Sequence, residues 1–482
     1  TEEFHPGFRN STASYTVSLL NPQVINDLHL HDHGLRIIER PLANFVPLPD
    51  GRYLKSGGTL ADTQAEFAKF SRRDAERLPA YSAMLERVAA VLRDIATMTP
   101  PNAGGGLADL WQALKLARKL GKLDLVGQRD VLDLFTKSAT EVLNSWFESD
   151  AVKALFGFDA VVGNFASPDT PGSAYVLLHH VFGEVNGKSG VWGHAIGGMG
   201  AITQAMQAEA QALGVDISLN APVAEVLVSK GRVTGVRLES GEEITARRVI
   251  ANVNPKLLFQ KLVPTETVDD DFNQRMKNYV CASATLRMNV ALDALPDFTA
   301  LPGAGKHLSA GIIMAPSLDY MDQAYQDARQ QGFARQPIVE MLIPSTIDDS
   351  LAPAGKHVAS LFCQHFNPEL PDNKNWDDLK EQAAQTVIDT VTRYAPNFKQ
   401  SIIGKLVLTP LDLERRFGLI GGDIFHGRLS LDQLFSARPI LGHGNYRMPL
   451  KGLYLCGSGT HPGGGVTGLP GRNAAREILR DR

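Results

Sequence analysis

The segment GSGTHPGGGVTGLPGRN, Gly457 to Asn473, places seven glycines in seventeen positions. Glycine at this density leaves backbone amides bare enough to meet a ligand closely. Within it, Gly463 to Gly468 match the pattern GxGxxG. A dinucleotide fingerprint of that pattern lies between a strand and a helix in a unit of about 30 residues, with an acid about 20 residues further on. Only 14 residues follow Gly468, so this is not the first turn of a βαβ unit. It reads as a second contact to a cofactor, with amides just ahead of a helix available to negative charge. The alternative is a glycine loop needed only for tight turning. His461 lies inside the segment, where an imidazole could donate a proton or act as a charge partner to a cofactor or its substrate.

Other chemistry-bearing residues are weaker candidates. His29, His31 and His33 alternate in HLHDHG, and an extended chain would put all three on one face as a metal site requires. Neighbouring strand positions seldom converge on one tetrahedral ion, so a polar turn is expected there and no metal ligand is assigned. His179 and His180 sit in the apolar run YVLLHHVFG, which could turn one of them toward a cavity, although core packing with one nitrogen satisfied is the more frequent arrangement. Cys281, Cys363 and Cys456 are far apart and odd in number, which excludes a disulfide framework and a CxxC redox pair. The chain contains no GxSxG elbow, HExxH helix or GKS/GKT phosphate loop, so hydrolase and P-loop readings lack support.

The bulk numbers set the frame. The chain has 482 residues, 44% hydrophobic and 21% charged, with a net charge of −4. That is ordinary globular usage with no drive toward nucleic acid. No apolar run approaches the roughly 20 residues of a membrane span, and the N-terminus lacks a signal-peptide pattern. A soluble protein of the cytoplasm, or of the mitochondrial matrix in a eukaryote, is expected.

The elements that must position the glycine segment follow from periodicity. Residues 62–98 carry a helical pattern with an interruption expected at Pro79, and helices continue over 107–120 and 130–147. The helix LWQALKLARKLGK combines Trp111, Leu114 and Leu120 with Lys115, Arg118, Lys119 and Lys122. It reads first as an amphipathic helix with its apolar face inward, and a membrane-surface helix is the alternative. After GGMGAITQAMQAEAQALG, a further helix, VAEVLVS, RVTGVRLE and RRVIANV predict a three-strand meander. SATLRMNVAL, PIVEMLIP, HVASLFCQH and SIIGKLVLTP predict strands of a sheet, with helices at 317–331 and 376–394. GLYLCG leads into the glycine loop, and a terminal helix is expected over 473–480.

The tail GLYLCGSGTHPGGGVTGLPGRNAA resembles the C-terminal flavin-binding segment of phytoene desaturase and carotenoid isomerase type flavoproteins, in the flavin amine oxidase superfamily. TEEFHPGFRNSTASYTVSLLNP, WFESDAVKALFGFDAVVG, SPDTPGSAYVLLHHV, GHAIGGMGA and RRFGLIGGDIFHGRLSLDQLFSARP, together with that tail, resemble the pyridine nucleotide-disulphide oxidoreductase domain-containing protein 2 family across the whole chain. The resemblance implies an α/β fold: a Rossmann-like FAD-binding domain of discontinuous segments (1–25, 190–262 and 440–482) and an inserted α+β substrate domain (26–189 and 263–439). It implies FAD as cofactor, with Val223 beside the adenine, Gly457, Ser458, Gly465, Val466, Thr467 and Gly468 along pyrophosphate and flavin, and the helix start after Val466 aimed at the flavin carbonyl next to N1. It also places a strand, a GxGxxG turn and a helix ahead of residue 1, so the first half of the flavin site is expected upstream.

The activity expected is FAD-dependent oxidation, desaturation or isomerisation of a small apolar substrate. The competing expectation is a cofactor-free scaffold that keeps the fold. Partners expected are that substrate, a peripheral membrane contact and a second copy of the chain, with no nucleic acid.

Overall fold

The computed structural model describes residues 1–102 and 104–481, and the side chains of Ala108, His179 and His180 lie outside the described residues. After an N-terminal pair of short strands (Glu2–His5 and Phe8–Asn10), a short helix (Pro22–Asp27) and a short strand (Ile37–Glu39), strands β1 (Asn44–Pro47) and β2 (Tyr53–Ser56) lead through a short helix (Leu60–Ala68) to the helices α1 (Arg72–Ala96), α2 (Leu107–Leu120), α3 (Leu125–Thr136) and α4 (Asp150–Val161). Ser71 caps α1 by accepting a hydrogen bond from the Asp74 amide at 3.1 Å. Pro79 does not interrupt this helix, contrary to expectation. A helix-interior proline leaves the carbonyl four residues earlier without its donor. That carbonyl belongs to Ala75, and the Gln64 side chain donates to it at 2.9 Å.

The middle of the chain builds α5 (Gly200–Ala212) and an antiparallel meander of β3 (Val223–Ser229), β4 (Arg232–Leu238) and β5 (Glu243–Thr245). The expected third meander strand, RRVIANV, goes elsewhere. Its β6 (Val249–Ala251) pairs in parallel with β12 (Leu453–Leu455), about 200 residues away in sequence. This two-stranded pair delivers the chain into the glycine loop. Its Ile250 is exposed, as are Leu213, Val215, Ile217 and Leu219 in the segment after α5.

Between them lie β7 (Thr285–Leu292), β8 (Gly311–Met314), α6 (Leu318–Gln331), β9 (Phe333–Leu342), β10 (His357–Phe366), α7 (Trp376–Tyr394) and β11 (Ile402–Leu408). With β1 and β2 they form a seven-stranded sheet of order β11-β7-β10-β9-β8-β1-β2. Only the β8–β1 pair is parallel. The period of two sends successive side chains to opposite faces. Phe45, Ile312, Val339 and Leu361 pack with Trp376, Val387 and Val391 of α7. Their neighbours Val46, Ile313, Ile338 and Phe362 pack with Tyr81, Leu85 and Val88 of α1 and Leu155 and Phe158 of α4. The sheet is therefore a middle layer, and the helical layer over its second face also walls the cavity described next.

The last helix, α8 (Leu469–Arg480), begins four residues before the expected start, directly on Gly468. No described helix is long and apolar enough to cross a membrane.

Candidate functional site

The glycine loop runs from the end of β12 to the first turn of α8. The Cys456 amide still donates to Ala251 across the parallel pair at 2.9 Å, after which the regular ladder stops. Gly463, Gly465 and Gly468 take φ of 107°, 99° and 72°, the left-handed region that side chains disfavour. Val466 is held there too, at φ 60°. A Cβ on Gly464 would lie 2.3 Å from Phe425 Cδ1, and one on Gly465 would lie 2.6 Å from Leu19 Cδ1. The loop is thus pressed between these two side chains, and glycine is required for close approach as well as for conformation. Among the described residues no protein acceptor meets the amides of Gly464, Gly465, Val466, Thr467 or Gly468. Gly468 caps α8 without any side-chain hydrogen bond. These five successive amides lead into the N-terminus of a twelve-residue helix, the end of a helix that favours negative charge.

Over this loop lies an apolar cavity of about 450 Å³. Pro462, Gly464, Gly465, Thr467 and Leu469 form its floor. Leu92, Ile95 and Ala96 of α1, Leu116 and Leu120 of α2, and Val131 and Phe135 of α3 form one wall, and Phe425, Leu429 and Phe435 close another. Leu19 and Leu20 join from the N-terminal segment. The cavity is therefore lined by the N-terminal segment, the helices α1 to α3, the 425–435 stretch and the C-terminal loop.

Two buried polar residues hold this architecture. The Arg438 guanidinium, fully buried, donates to the carbonyls of Ser458 and Gln433 (3.0 Å each) and also to those of Phe425 and Gly427. It ties the start of the glycine loop to the turn that carries Phe425. Asp423 shapes that turn by accepting from the amides of Phe425 and Ala282 (2.8 Å each) and from Ser283 Oγ at 3.0 Å. Burial pushes its carboxyl above the usual range. Nothing in the local sequence around Arg438 marks it. The glycines flanking IFHG are a legible signal for Phe425.

His461 lines the cavity and is itself buried. Its Nε2 lies 3.1 Å from the Ile95 carbonyl, which fixes a proton on that nitrogen, and its ring stands edge-on to Phe435 with centroids 5.1 Å apart. Burial, reinforced by the Arg438 charge, holds its pKa down to about 4. The ring is neutral at neutral pH.

Of the remaining expected cofactor residues, Gly465 and Thr467 line the cavity, while Val466 and Gly468 share their loop without lining it. Gly457 and Ser458 lie behind it. A Cβ on Gly457 would meet Asn252 Oδ1 at 1.9 Å, and the Ser458 carbonyl belongs to Arg438. Val223 opens β3 on the meander and does not line the cavity. The histidines of HLHDHG form no extended face. His29 and His33 both reach Glu209, at 3.1 and 2.7 Å, while His31 turns to the Leu35 carbonyl. The three cysteines are unpaired, and burial raises the Cys281 and Cys456 thiols to about 12 and about 11. His179 and His180 lie outside the described side chains.

The chain belongs to a class of flavoprotein, the flavin-containing amine oxidoreductases, whose family profile matches residues 20–286. Within that class the chain belongs to the pyridine nucleotide-disulfide oxidoreductase domain-containing protein 2 family. The rat protein of that name is 41% identical over 503 residues, spanning 100% of this chain and 87% of that protein. A component of the limonene dehydrogenase of Castellaniella defragrans is 23% identical over 100% of this chain and 87% of its own length. Among solved structures, an oxidoreductase from Methanosarcina mazei shares the fold, with a TM-score of 0.56 at 13% identity, covering 100% of this chain and 90% of that one.

The residues present fit a flavin. The loop offers donors that meet no acceptor among the described residues, and an apolar cavity against which a ring can lie. Gly465, Val466, Thr467 and Gly468 are the residues that would hold it.

Proposed function

We propose that the chain is an FAD-dependent oxidoreductase acting on an apolar organic substrate held in the cavity above the Gly463–Gly468 loop. One observation carries this reading: the loop that leads into α8, with five amides that meet no acceptor among the described residues, lines an apolar cavity of about 450 Å³ through Gly464, Gly465 and Thr467. When bound, FAD supplies the redox step, taking a hydride or two electrons from the substrate.

The chain's own part is binding, orientation and electrostatics. Leucine, valine and phenylalanine walls exclude water and favour a hydrocarbon-like ligand. The Gly464–Gly468 amides and the α8 dipole stabilise negative charge brought to the loop. His461 keeps its proton on Nε2 against the Ile95 carbonyl and so places no charge on the cavity wall. Arg438 fixes the loop from behind. Gly457 and Ser458 would continue the cofactor track toward Val223 on the meander. The relative named for limonene dehydrogenation supports an apolar substrate, since limonene is a hydrocarbon.

The test is anaerobic addition of apolar alkenes and amines of graded polarity to flavin-loaded protein, followed by the visible flavin absorbance. Bleaching by apolar compounds and not by polar ones is expected. Bleaching by polar compounds alone would overturn the substrate class.

A further inference from the structure

We propose that α2 and α3 form a docking surface for an anionic lipid bilayer. Both helices are apolar on two sides. At 3.6 residues per turn, Leu116 and Leu120 of α2 fall on one side and line the cavity. Leu107, Leu110, Trp111 and Leu114 fall on the other and are between 43% and 79% exposed. Helix α3 repeats the arrangement: Val131 and Phe135 line the cavity, while Leu125 and Leu132 share an exposed face with Arg129. A helix that merely covers a core needs one apolar stripe. The second stripe, carried by two successive helices, is unpartnered here.

Charge favours a bilayer as the occupant. The protein carries a net charge of −4, yet α2 and the two residues after it hold Lys115, Arg118, Lys119 and Lys122 against the single acid Asp109, while the α3 acids Asp130 and Asp133 are paired with Arg87 and Lys137 and Asp124 caps the helix. Lys119 pairs with Asp94 at 2.6 Å. Lys115, Arg118, Lys122 and Arg129 meet no carboxylate among the described residues. Exposed leucines and a tryptophan rimmed by unpaired cations are the composition of an interfacial helix. Interfaces between protein chains are depleted in lysine, which argues against a second copy on this face. The surface and the cavity are separated by one helix diameter, about 10 Å. Supply of an apolar ligand from the bilayer to the cavity rests on the function proposed above, whereas docking itself does not.

The full-length chain is sedimented with vesicles of phosphatidylcholine alone or containing phosphatidylglycerol, at low and high salt. Anionic vesicles are expected to carry the protein down, and Trp111 to be quenched by brominated lipid. Lys115→Glu/Arg118→Glu/Lys122→Glu is expected to weaken binding roughly 100-fold, each cation near an anionic surface contributing about fivefold. Leu110→Glu/Trp111→Glu is expected to abolish it with an unchanged circular dichroism spectrum, because both side chains are exposed. Equal sedimentation of all variants would overturn the proposal. So would absence of vesicle binding together with a dimer, in analytical ultracentrifugation, that Leu110→Glu/Trp111→Glu dissociates. Because the readout is vesicle binding and not flavin bleaching, it fails or succeeds independently of the catalytic reading.

Discussion

Removing the titratable ring at His461 should flatten the acid sensitivity of the fold by a defined amount. The imidazole titrates near 6.5 in an unfolded chain, and burial between Ile95, Phe435 and the glycine loop holds it down to about 4. The folded pKa lies below the unfolded one, so between these values the unfolded chain binds more protons. The associated stability is present above the unfolded pKa and is lost as pH falls toward the folded one. At pH 5 nearly every unfolded molecule carries this proton and about one folded molecule in ten does, which costs about 2 kcal/mol relative to neutral pH. His461→Gln keeps an N–H to offer the Ile95 carbonyl and cannot titrate. That carbonyl also accepts from the Met98 amide at 2.9 Å, so the substitution leaves no orphan there. Urea unfolding of both proteins at pH 7.5 and pH 5.0 measures the difference. His426 and His365, held to about 4 and about 3 by burial, contribute equally to both proteins and cancel. The loss of stability on acidification should be smaller by about 2 kcal/mol in His461→Gln. Superimposable pH dependences would refute a buried, neutral His461.

Further expectations attach to the same architecture. Gly464→Ala drives a methyl to within 2.3 Å of Phe425 and should lower the unfolding free energy by about 1–3 kcal/mol, read as a reduced urea midpoint. Arg438→Met strips the donors from four backbone carbonyls and should destabilise by about 3–5 kcal/mol; limited proteolysis should then open the 425–438 segment first. Leu120→Trp, on the cavity wall, should weaken binding of the apolar dye anilinonaphthalene sulfonate roughly tenfold, about 1.4 kcal/mol, without altering the far-ultraviolet circular dichroism.

Local patterns are legible in the sequence and distant ones are not. The strand β10 and the helix α7 read correctly because alternation and helical periodicity lie within the segments themselves. Pro79 misleads because the donor that rescues the helix comes from Gln64, on another helix. RRVIANV misleads because an apolar run without clear alternation does not disclose a parallel partner about 200 residues away. At the site, the density of glycine discloses the loop, since close backbone approach is a property of residue type. Arg438 is invisible because its meaning lies in carbonyls gathered from segments near 425, 433 and 458. The outward apolar face of α2 is ambiguous, because a helix apolar on two sides has the composition of a buried one.

The central claim is that flavin binds against the Gly463–Gly468 loop. Its most direct test is the flavin content of purified protein, measured from cofactor released by denaturation, and the fluorescence quenching of added FAD. The comparison variant is Gly465→Val, which forces a side chain at φ 99° into Leu19. Stoichiometric FAD in the wild type, or tight uptake of added FAD, is predicted, with loss of binding in a Gly465→Val protein that retains its circular dichroism spectrum. A folded wild-type protein that is colourless and takes up no FAD would contradict the claim and leave the cofactor-free scaffold standing, as would a Gly465→Val protein that holds FAD as tightly as the wild type.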